Sequence, residues 1–345
     1  MSIYGVLTGG GDCPGLNAAI RAVARGLMAH EHDVVGIRDG WRGLVEDSMV
    51  PLTRRAVAGI LPRGGTILGT SGYNPFRDES GVQALIETGR SLGIDGVVAI
   101  GGEGTLTAAH RLHAEHSYPV VGVPKTIDND LAGTDITIGF DTAVHVCTEA
   151  IDRLHTTAES HNRVMVLEVM GRNTGWIAAA SGIAGGADVI LVPEAPTAIE
   201  DVCEHIRRRH DDGRDFSIVV VAEGYPLTRR SGKQDAPVVQ ELDAYGYERL
   251  GGIGRVVAEE ITRHTGFETR VTVLGHVQRG GTPTARDRLL ATRLGLKASQ
   301  LAVAGKWGRM AAVHGNEIVD VSLEEATATR RGVPADWVEA GRVVA

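Results

Sequence analysis

The sequence has few cysteines, no long apolar run and no excess of positive charge. Cys13, Cys147 and Cys203 are far apart and lack CxxC spacing, which excludes a disulfide framework and favours a reducing compartment, by default the cytoplasm. The net charge of −8 argues against a nucleic-acid or anionic-membrane surface. No run of about 18 consecutive apolar residues occurs, so a membrane span is not expected. No basic segment precedes an apolar one at the N-terminus, so a secretion signal is not expected either.

What the sequence does contain is 43% hydrophobic residues, arranged as short apolar runs that alternate with amphipathic stretches. Runs such as Tyr4 to Thr8, Gly96 to Ile100 and Val120 to Val123 predict buried parallel strands. The stretches between them, such as Leu16 to Ala29, predict helices. This order predicts an α/β fold with three layers and doubly wound, mostly parallel sheets, which bind ligands at the carboxyl ends of their strands.

Two glycine-rich turns follow predicted strands and lead directly into predicted helices. The first includes Gly10 and Gly11, and the second is Gly101-Gly102-Glu103-Gly104-Thr105. Backbone N–H groups at a helix start, free of crowding by Cβ atoms, form an anion site. Two such turns at strand ends indicate one polyphosphate lying across both, with Glu103 holding Mg²⁺. The alternatives are that the first turn merely closes a βα unit and that Glu103 only caps its helix.

A third cluster follows the strand at Val120 to Val123. It reads Lys125-Thr126-Ile127-Asp128-Asn129-Asp130. One carboxylate can accept a proton from an attacking hydroxyl while the other stays near a metal, and Lys125 can neutralise a phosphate. A plain Asx turn would also explain Asp and Asn here. The two phosphate-binding turns nearby favour catalysis.

Further polar residues follow later apolar runs. Arginine binds phosphate through a planar, bidentate fork, although any single arginine is more often a solvated surface charge. Alone, His276 would be an ordinary loop histidine. The candidates are Arg163, Met170, Gly171, Arg172, Glu223, Arg270, His276 and Arg279.

Together these residues resemble the 6-phosphofructokinase family. The resemblance runs from GVLTGGGDCPGLNAAIRAV to LGHVQRGGTPTARDR and includes PKTIDND, SHNRV and EVMGRNTGW. It implies that fructose 6-phosphate is phosphorylated at O1 in glycolysis, with Asp128 as general base. The other catalytic residues would be Asp130 and Arg172, and Glu103 would be the metal ligand. The donor site would comprise Gly10, Gly11, Gly102, Glu103, Gly104, Thr105 and Lys125. The sugar phosphate would contact Thr126, Asp128, Arg163, Met170, Gly171, Arg172, Glu223, Arg270, His276 and Arg279.

The resemblance also implies a homodimer or homotetramer in the cytoplasm, in which Arg163 and Arg270 serve the site of a neighbouring subunit. It implies two similar α/β domains as well. The larger, donor-binding domain is expected at residues 1–140 with about 255–305, and the smaller, sugar-phosphate domain at about 141–254 with about 306–325. Residues 326–345 would form a C-terminal tail. The polar stretch 226–254 is expected to be a surface excursion.

The choice of phosphoryl donor rests on two positions that point in opposite directions. Gly104 matches the ATP users of the family, because a side chain there would block the nucleotide, whereas Lys125 matches the diphosphate users. ATP is favoured, since Gly104 leaves room and a flexible Lys125 would swing aside. Gly72 departs from the family pattern, in which an arginine lies near the transferred phosphate. Lys125 leaves open a diphosphate-dependent enzyme, and Gly72 leaves open a sugar-phosphate sensor without activity.

Overall fold

The computed structural model describes residues 1–77, 80–242 and 248–344. Two short 3-10 turns, Pro75–Arg77 and Gly275–Arg279, accompany the regular elements. In chain order the strands and helices are β1 (Ile3–Gly9), α1 (Leu16–Met28), β2 (Asp33–Ile37), α2 (Trp41–Val45), β3 (Met49–Pro51), α3 (Gly81–Ser91), β4 (Ile94–Gly101), α4 (Glu103–His116), β5 (Val120–Pro124), α5 (Phe140–His161), β6 (Val164–Val169), α6 (Trp176–Ala184), β7 (Val189–Leu191), α7 (Ile199–Asp211), β8 (Ser217–Ala222), β9 (Val239–Leu242), β10 (Glu248–Leu250), α8 (Ile253–Thr265), β11 (Thr269–Val273), α9 (Ala285–Val303), β12 (Arg309–His314), β13 (Glu317–Ser322), α10 (Leu323–Ala328) and α11 (Ala335–Val344).

These elements confirm the predicted α/β fold with mostly parallel sheets. The strands form because β-branched and other apolar side chains alternate with helical stretches that have one apolar face. In α1, Leu16, Ile20, Val23 and Leu27 recur at helical spacing, and all four are fully buried. The chain divides into two compact units, each with its own sheet.

The first unit comprises Met1–Thr142 and Arg279–Arg331. Its sheet has the strand order β13-β12-β5-β4-β1-β2-β3, parallel from β12 to β2 and antiparallel at both edges. Helices α1 and α9 lie close together because Gly26 and Gly295 carry no side chain. A Cβ at Gly295 would lie 2.8 Å from the Cβ of Ala22. The carboxyl ends of β1, β4 and β5 hold the three predicted motifs.

The second unit comprises Ala143–Gln278 and the chain from Gly332 onward. Its parallel sheet has the order β11-β6-β8-β7, and a separate antiparallel ribbon joins β9 to β10. The ribbon falls within the excursion predicted at 226–254, of which residues 243–247 lie outside the described residues. Within the described ranges, no helix is long and apolar enough to cross a membrane.

This division differs from the predicted boundaries in three places. Residues 255–278 lie in the second unit, because β11 pairs with β6 and α8 packs on the same sheet. Residues 306–325 lie in the first unit, because β12 pairs with β5 and β13 with β12. The expected tail is not one segment, since the chain changes unit after Arg331. Order along the sequence does not reveal which sheet a late strand will join.

Candidate active site

The first glycine turn begins where β1 ends. Gly10 has φ +77°, a conformation that glycine adopts without strain. Its N–H donates to the Ser71 carbonyl at 2.9 Å, and its carbonyl accepts from the Thr70 hydroxyl at 2.5 Å. A Cβ at Gly11 would lie 2.6 Å from Nη1 of Arg279, so a side chain at that position would displace the guanidinium. The backbone conformation therefore favours glycine at position 10, and the missing side chain of Gly11 leaves room for the Arg279 guanidinium.

The second turn connects β4 to α4. Gly102 is the N-cap, and its carbonyl accepts from the Leu106 N–H at 3.0 Å. Glu103 is the first helical residue, and its carboxylate does not cap the helix but forms an ion pair with Arg330 at 2.9 Å. Thr105 is buried and accepts from the Trp41 indole through its carbonyl at 3.2 Å. The start of α4 thus combines backbone N–H groups with an acid directed toward another part of the chain.

Lys125 does not have the flexible side chain that the sequence suggested. It is 2% exposed, and its Nζ donates to the carbonyls of Gly9 at 2.9 Å and Gly11 at 2.5 Å. Burial lowers its pKa. The ammonium group therefore braces the first glycine turn from inside the protein instead of extending into solvent.

The loop after β5 contains both predicted catalytic carboxylates. The hydroxyl of Thr126 accepts from the Asp128 N–H at 3.1 Å. Asn129 has φ +52°, and its side-chain oxygen accepts from the Thr137 N–H at 3.0 Å. Asp128 and Asp130 are buried, with 5% and 9% exposure. These two bonds hold the loop that carries both buried acids, and neither of them is the Asx turn given as the alternative.

The acids interact electrostatically. Burial, followed by the negative charges of Asp128 and Glu103, raises the pKa of Asp130 to about 7, while Arg330 opposes the rise. Among the described residues, no group of three or more His, Cys, Asp or Glu side chains could by itself hold a metal ion. Mg²⁺ characteristically uses one or two carboxylates together with substrate phosphates. Glu103 and Asp130 fit that requirement, because a divalent cation would relieve the repulsion among these acids.

Sequence reasoning missed two residues at this site, Arg330 and Arg331. Nε of Arg330 lies 3.6 Å from the Asp130 carboxylate. The N–H of Arg331 donates to the Asp130 carbonyl at 2.8 Å, and its guanidinium donates to the Asp135 carbonyl at 2.9 Å. Both arginines belong to the segment predicted as a tail, and no motif around them suggested a contact 200 residues earlier in the chain.

In the second unit, two of the predicted sugar-phosphate arginines share one acid. Arg163 lies 3.0 Å from the Glu268 carboxylate, and Arg270 is paired with the same carboxylate. The Arg270 side chain is 55% exposed and that of Arg163 25%. The hydrogen bond from Arg163 is the main cause that lowers the pKa of Glu268. Because β11 lies at the edge of its sheet, Arg270 is accessible to solvent, whereas Nε of Arg163 is buried.

Four other predicted residues of this unit form one loop structure. The Met170 N–H donates to the buried Gln278 side chain at 3.1 Å. Gly171 has φ +143°, and a Cβ there would lie 2.5 Å from the Thr174 carbonyl. Arg172 also has a left-handed backbone, and its N–H donates to the Glu223 carboxylate at 2.9 Å. Glu223 therefore orients the backbone that carries Arg172.

The predicted site residues are thus divided between the two units. The first unit brings together Gly10, Gly11, Gly102, Glu103, Gly104, Thr105, Lys125, Thr126, Asp128, Asp130 and Arg279. Arg279 lies beside the first glycine turn and donates to the Asp12 carbonyl at 3.1 Å. The second unit contains Arg163, Met170, Gly171, Arg172, Glu223, Arg270 and His276. His276 is exposed.

A sequence model described as "Phosphofructokinase" matches residues 3–302. The chain is 54% identical to the pyrophosphate–fructose 6-phosphate 1-phosphotransferase of Streptomyces coelicolor, over 98% of both chains. It is 51% identical to the ATP-dependent 6-phosphofructokinase 3 of the same organism, over 97% of this chain and 98% of the other. These two similar relatives have names that specify different phosphoryl donors.

Among solved structures, the T-state phosphofructokinase of Pichia pastoris has a TM-score of 0.82 and 34% identity to this chain. The match covers 95% of this chain and 35% of the yeast chain, so the present chain spans about a third of that protein.

Proposed function

The chain belongs to the phosphofructokinase family, and we propose that it phosphorylates fructose 6-phosphate at O1 in the cytoplasm, with Asp128 as general base. The observation that carries this proposal is the arrangement of the first unit. Two glycine turns and a buried aspartate follow three neighbouring parallel strands, β1, β4 and β5. Such an edge suits a polyphosphate at the turns and an attacking hydroxyl at the aspartate.

The reaction is a direct in-line transfer. Asp128 accepts the proton of the sugar O1 hydroxyl as that oxygen forms a bond to the terminal phosphorus of the donor, and the bond from phosphorus to the leaving oxygen breaks. Glu103 and Asp130 would hold Mg²⁺, which neutralises charge on the donor phosphates. Backbone N–H groups of the glycine turns support the developing charge. Positioning and charge neutralisation therefore account for most of the catalysis.

We propose ATP as the donor. Gly104 lies in the exposed first turn of α4, where the lack of a side chain leaves room for a nucleotide. The position of Lys125 is compatible with ATP for a different reason from the one the sequence suggested. Its ammonium group is already packed beneath the first turn on the Gly9 and Gly11 carbonyls, so it need not move aside.

Diphosphate is the second candidate. A fixed ammonium at the first glycine turn favours a compact, highly charged donor, and one relative at 54% identity has a name that specifies pyrophosphate. Assays of the purified protein with fructose 6-phosphate, Mg²⁺ and either ATP or diphosphate separate the two. We expect the higher kcat/KM with ATP. A higher value with diphosphate would reverse the assignment, and no turnover with either would indicate a sugar-phosphate sensor.

A substitution at Gly104 tests the steric basis of donor choice. Gly104→Asp places a side chain and a negative charge in the first turn of α4, so we expect kcat/KM for ATP to fall by about 10²-fold or more, the cost of a misplaced substrate. Any activity with diphosphate should fall much less. Gly104→Ala is the matched control, because it adds one carbon without charge. Equal losses with both donors in the Asp variant would contradict the steric argument.

We also propose a homodimer or homotetramer in which Arg163 and Arg270 contact the sugar phosphate of a neighbouring subunit. The exposed edge strand β11 supports this proposal, because Val273 is 56% exposed and Val277, shortly after it, 61%. Sedimentation measures the oligomeric state directly. A monomer with full activity would contradict shared sites.

A further inference from the structure

Arg330 lies against two of the acids to which the proposed function gives a role. Its Nη2 donates to Oε2 of Glu103 at 2.9 Å, and its Nε lies 3.6 Å from Oδ2 of Asp130. Glu103 lies 227 residues earlier in the chain. A contact this distant in sequence forms only because the fold brings the end of the first unit across the catalytic loop.

The backbone fixes Arg330 in this position. Arg330 and Leu131 form an antiparallel bridge, and the N–H of Arg331 donates to the Asp130 carbonyl at 2.8 Å. The main chain on both sides of the bridge is thereby tied to the loop that contains Asp130. The main-chain position of Arg330, as well as its side-chain rotamer, therefore places the guanidinium beside the acids.

The contacts of Arg330 would allow a metal ion to replace its guanidinium at the two carboxylates. Asp130 experiences repulsion from Asp128 and Glu103, and Arg330 offsets part of it. The ion pair between Arg330 and Glu103 is weak, because these side chains are 41% and 53% exposed and solvent-exposed ion pairs contribute little to stability. Mg²⁺ carries two charges and prefers carboxylate oxygens. A metal ion can therefore compete for the same oxygens.

We propose that Arg330 is a positioning residue of the donor site, which holds Glu103 and Asp130 before the donor arrives and is displaced from them by the metal ion. This proposal rests on the proposed function, because it takes these two acids as the metal-binding pair. In the absence of metal, Arg330 keeps the repelling acids in place. When metal binds, the guanidinium is released from both carboxylates.

The test measures metal binding without substrate or turnover. The full-length protein is titrated with Mn²⁺, a paramagnetic substitute for Mg²⁺, and free Mn²⁺ is followed by electron paramagnetic resonance. Removing the competing cation in Arg330→Gln should lower the Mn²⁺ dissociation constant by about threefold to fivefold, the range expected for one exposed ion pair. Arg330→Lys retains the charge and should remain near the wild-type value. Glu103→Gln should weaken binding.

Arg293→Gln is the charge-matched control, because Arg293 donates to the Asn316 carbonyl and not to a carboxylate. It should leave the dissociation constant unchanged. An unchanged or higher dissociation constant in Arg330→Gln would overturn the proposal, and so would the lack of a saturable Mn²⁺ site in every variant. Turnover of fructose 6-phosphate is measured separately. If the wild-type protein turns over fructose 6-phosphate but Arg330→Gln binds Mn²⁺ as the wild type does, only this inference is rejected. If Arg330→Gln binds Mn²⁺ more tightly but the wild-type protein shows no turnover, only the proposed function is rejected.

Discussion

The residues proposed for the donor in the first unit and the arginines proposed for the sugar phosphate in the second are held in different ways. Lys125 is buried and bonded to two main-chain carbonyls, and Asp130 is tied to Arg331 through the backbone. Arg163 and Arg270, in contrast, depend on one shared side chain, Glu268, with solvent access. Main-chain bonds in a buried region position groups in advance, whereas exposed ion pairs exchange partners at little cost.

This contrast suggests that the two proposed binding regions, one in each unit, are prepared to different degrees before substrate binds. The hydrogen bonds that position the residues proposed for the donor all lie within the first unit. In the second unit, the exposed Arg270 can leave Glu268 for a phosphate with little loss of stability, because a solvent-exposed pair contributes about 0–1 kcal/mol. The predictions below test whether this difference holds, and they begin with the largest expected effect.

Asp128→Asn keeps the shape of the side chain and removes its ability to accept a proton. We expect kcat to fall by about 10²- to 10⁴-fold while KM for fructose 6-phosphate changes little, because the loss affects the transition state alone. Steady-state kinetics measure both values. Asp135→Asn is the control, because Asp135 is exposed in the same loop and accepts from the Gly315 N–H. A near-normal kcat in the Asp128 variant would reject its role as the base.

Lys125→Met should destabilise the protein by about 1–3 kcal/mol, because the buried Gly9 carbonyl would lose its donor, and so would the partly buried Gly11 carbonyl. Arg270→Met, in the exposed pair, should cost less than about 0.5 kcal/mol. Urea unfolding of the two variants compares a buried cation with an exposed one. Equal losses of stability in the two variants would contradict the difference proposed between the buried Lys125 and the exposed Arg270.

The smallest effect concerns Asp287, which fixes the chain where α5 begins. Its carboxylate accepts from the N–H groups of Gly139 and Thr142, both at 2.9 Å. Burial raises its pKa to about 6, above the unfolded value of 3.8, so the native state binds the extra proton. The stability that this group contributes is therefore fully present below pH 3.8 and is lost as pH rises through about 6.

Asp287→Asn cannot titrate. Between pH 5 and pH 8, the wild type should therefore lose about 1 kcal/mol of unfolding free energy relative to the variant. Urea unfolding at the two pH values measures this change. A difference that does not vary with pH would contradict the raised pKa, whatever the variant does to absolute stability.

Local pattern was enough to predict most of the fold. Runs such as Val120 to Val123 are both strongly apolar and bounded by turns, and they became strands close to the predicted limits. Strand β11 was missed because its residues are largely exposed and give little apolar periodicity. The late segments were assigned to the wrong units because strand pairing is decided by packing, which depends on the whole chain.

At the site, the residues that contact each other within a short segment were the predictable ones. The Asp128 and Asp130 pair follows directly from one loop. The burial of Lys125 could not be predicted, since it depends on the Gly9 and Gly11 carbonyls more than 110 residues away. Arg330 was missed for the same reason, because nothing near it in the sequence indicates that its partners are Glu103 and Asp130.

The bridge between Leu131 and Arg330 has a consequence for biosynthesis. One support of the segment that carries Asp128 and Asp130 is synthesised about 200 residues after the segment itself. Closing so long a loop is slow and entropically costly, and it becomes possible only when the later segment has left the ribosome. A nascent polypeptide that already contains Asp128 should therefore lack this support until Arg330 has left the ribosome.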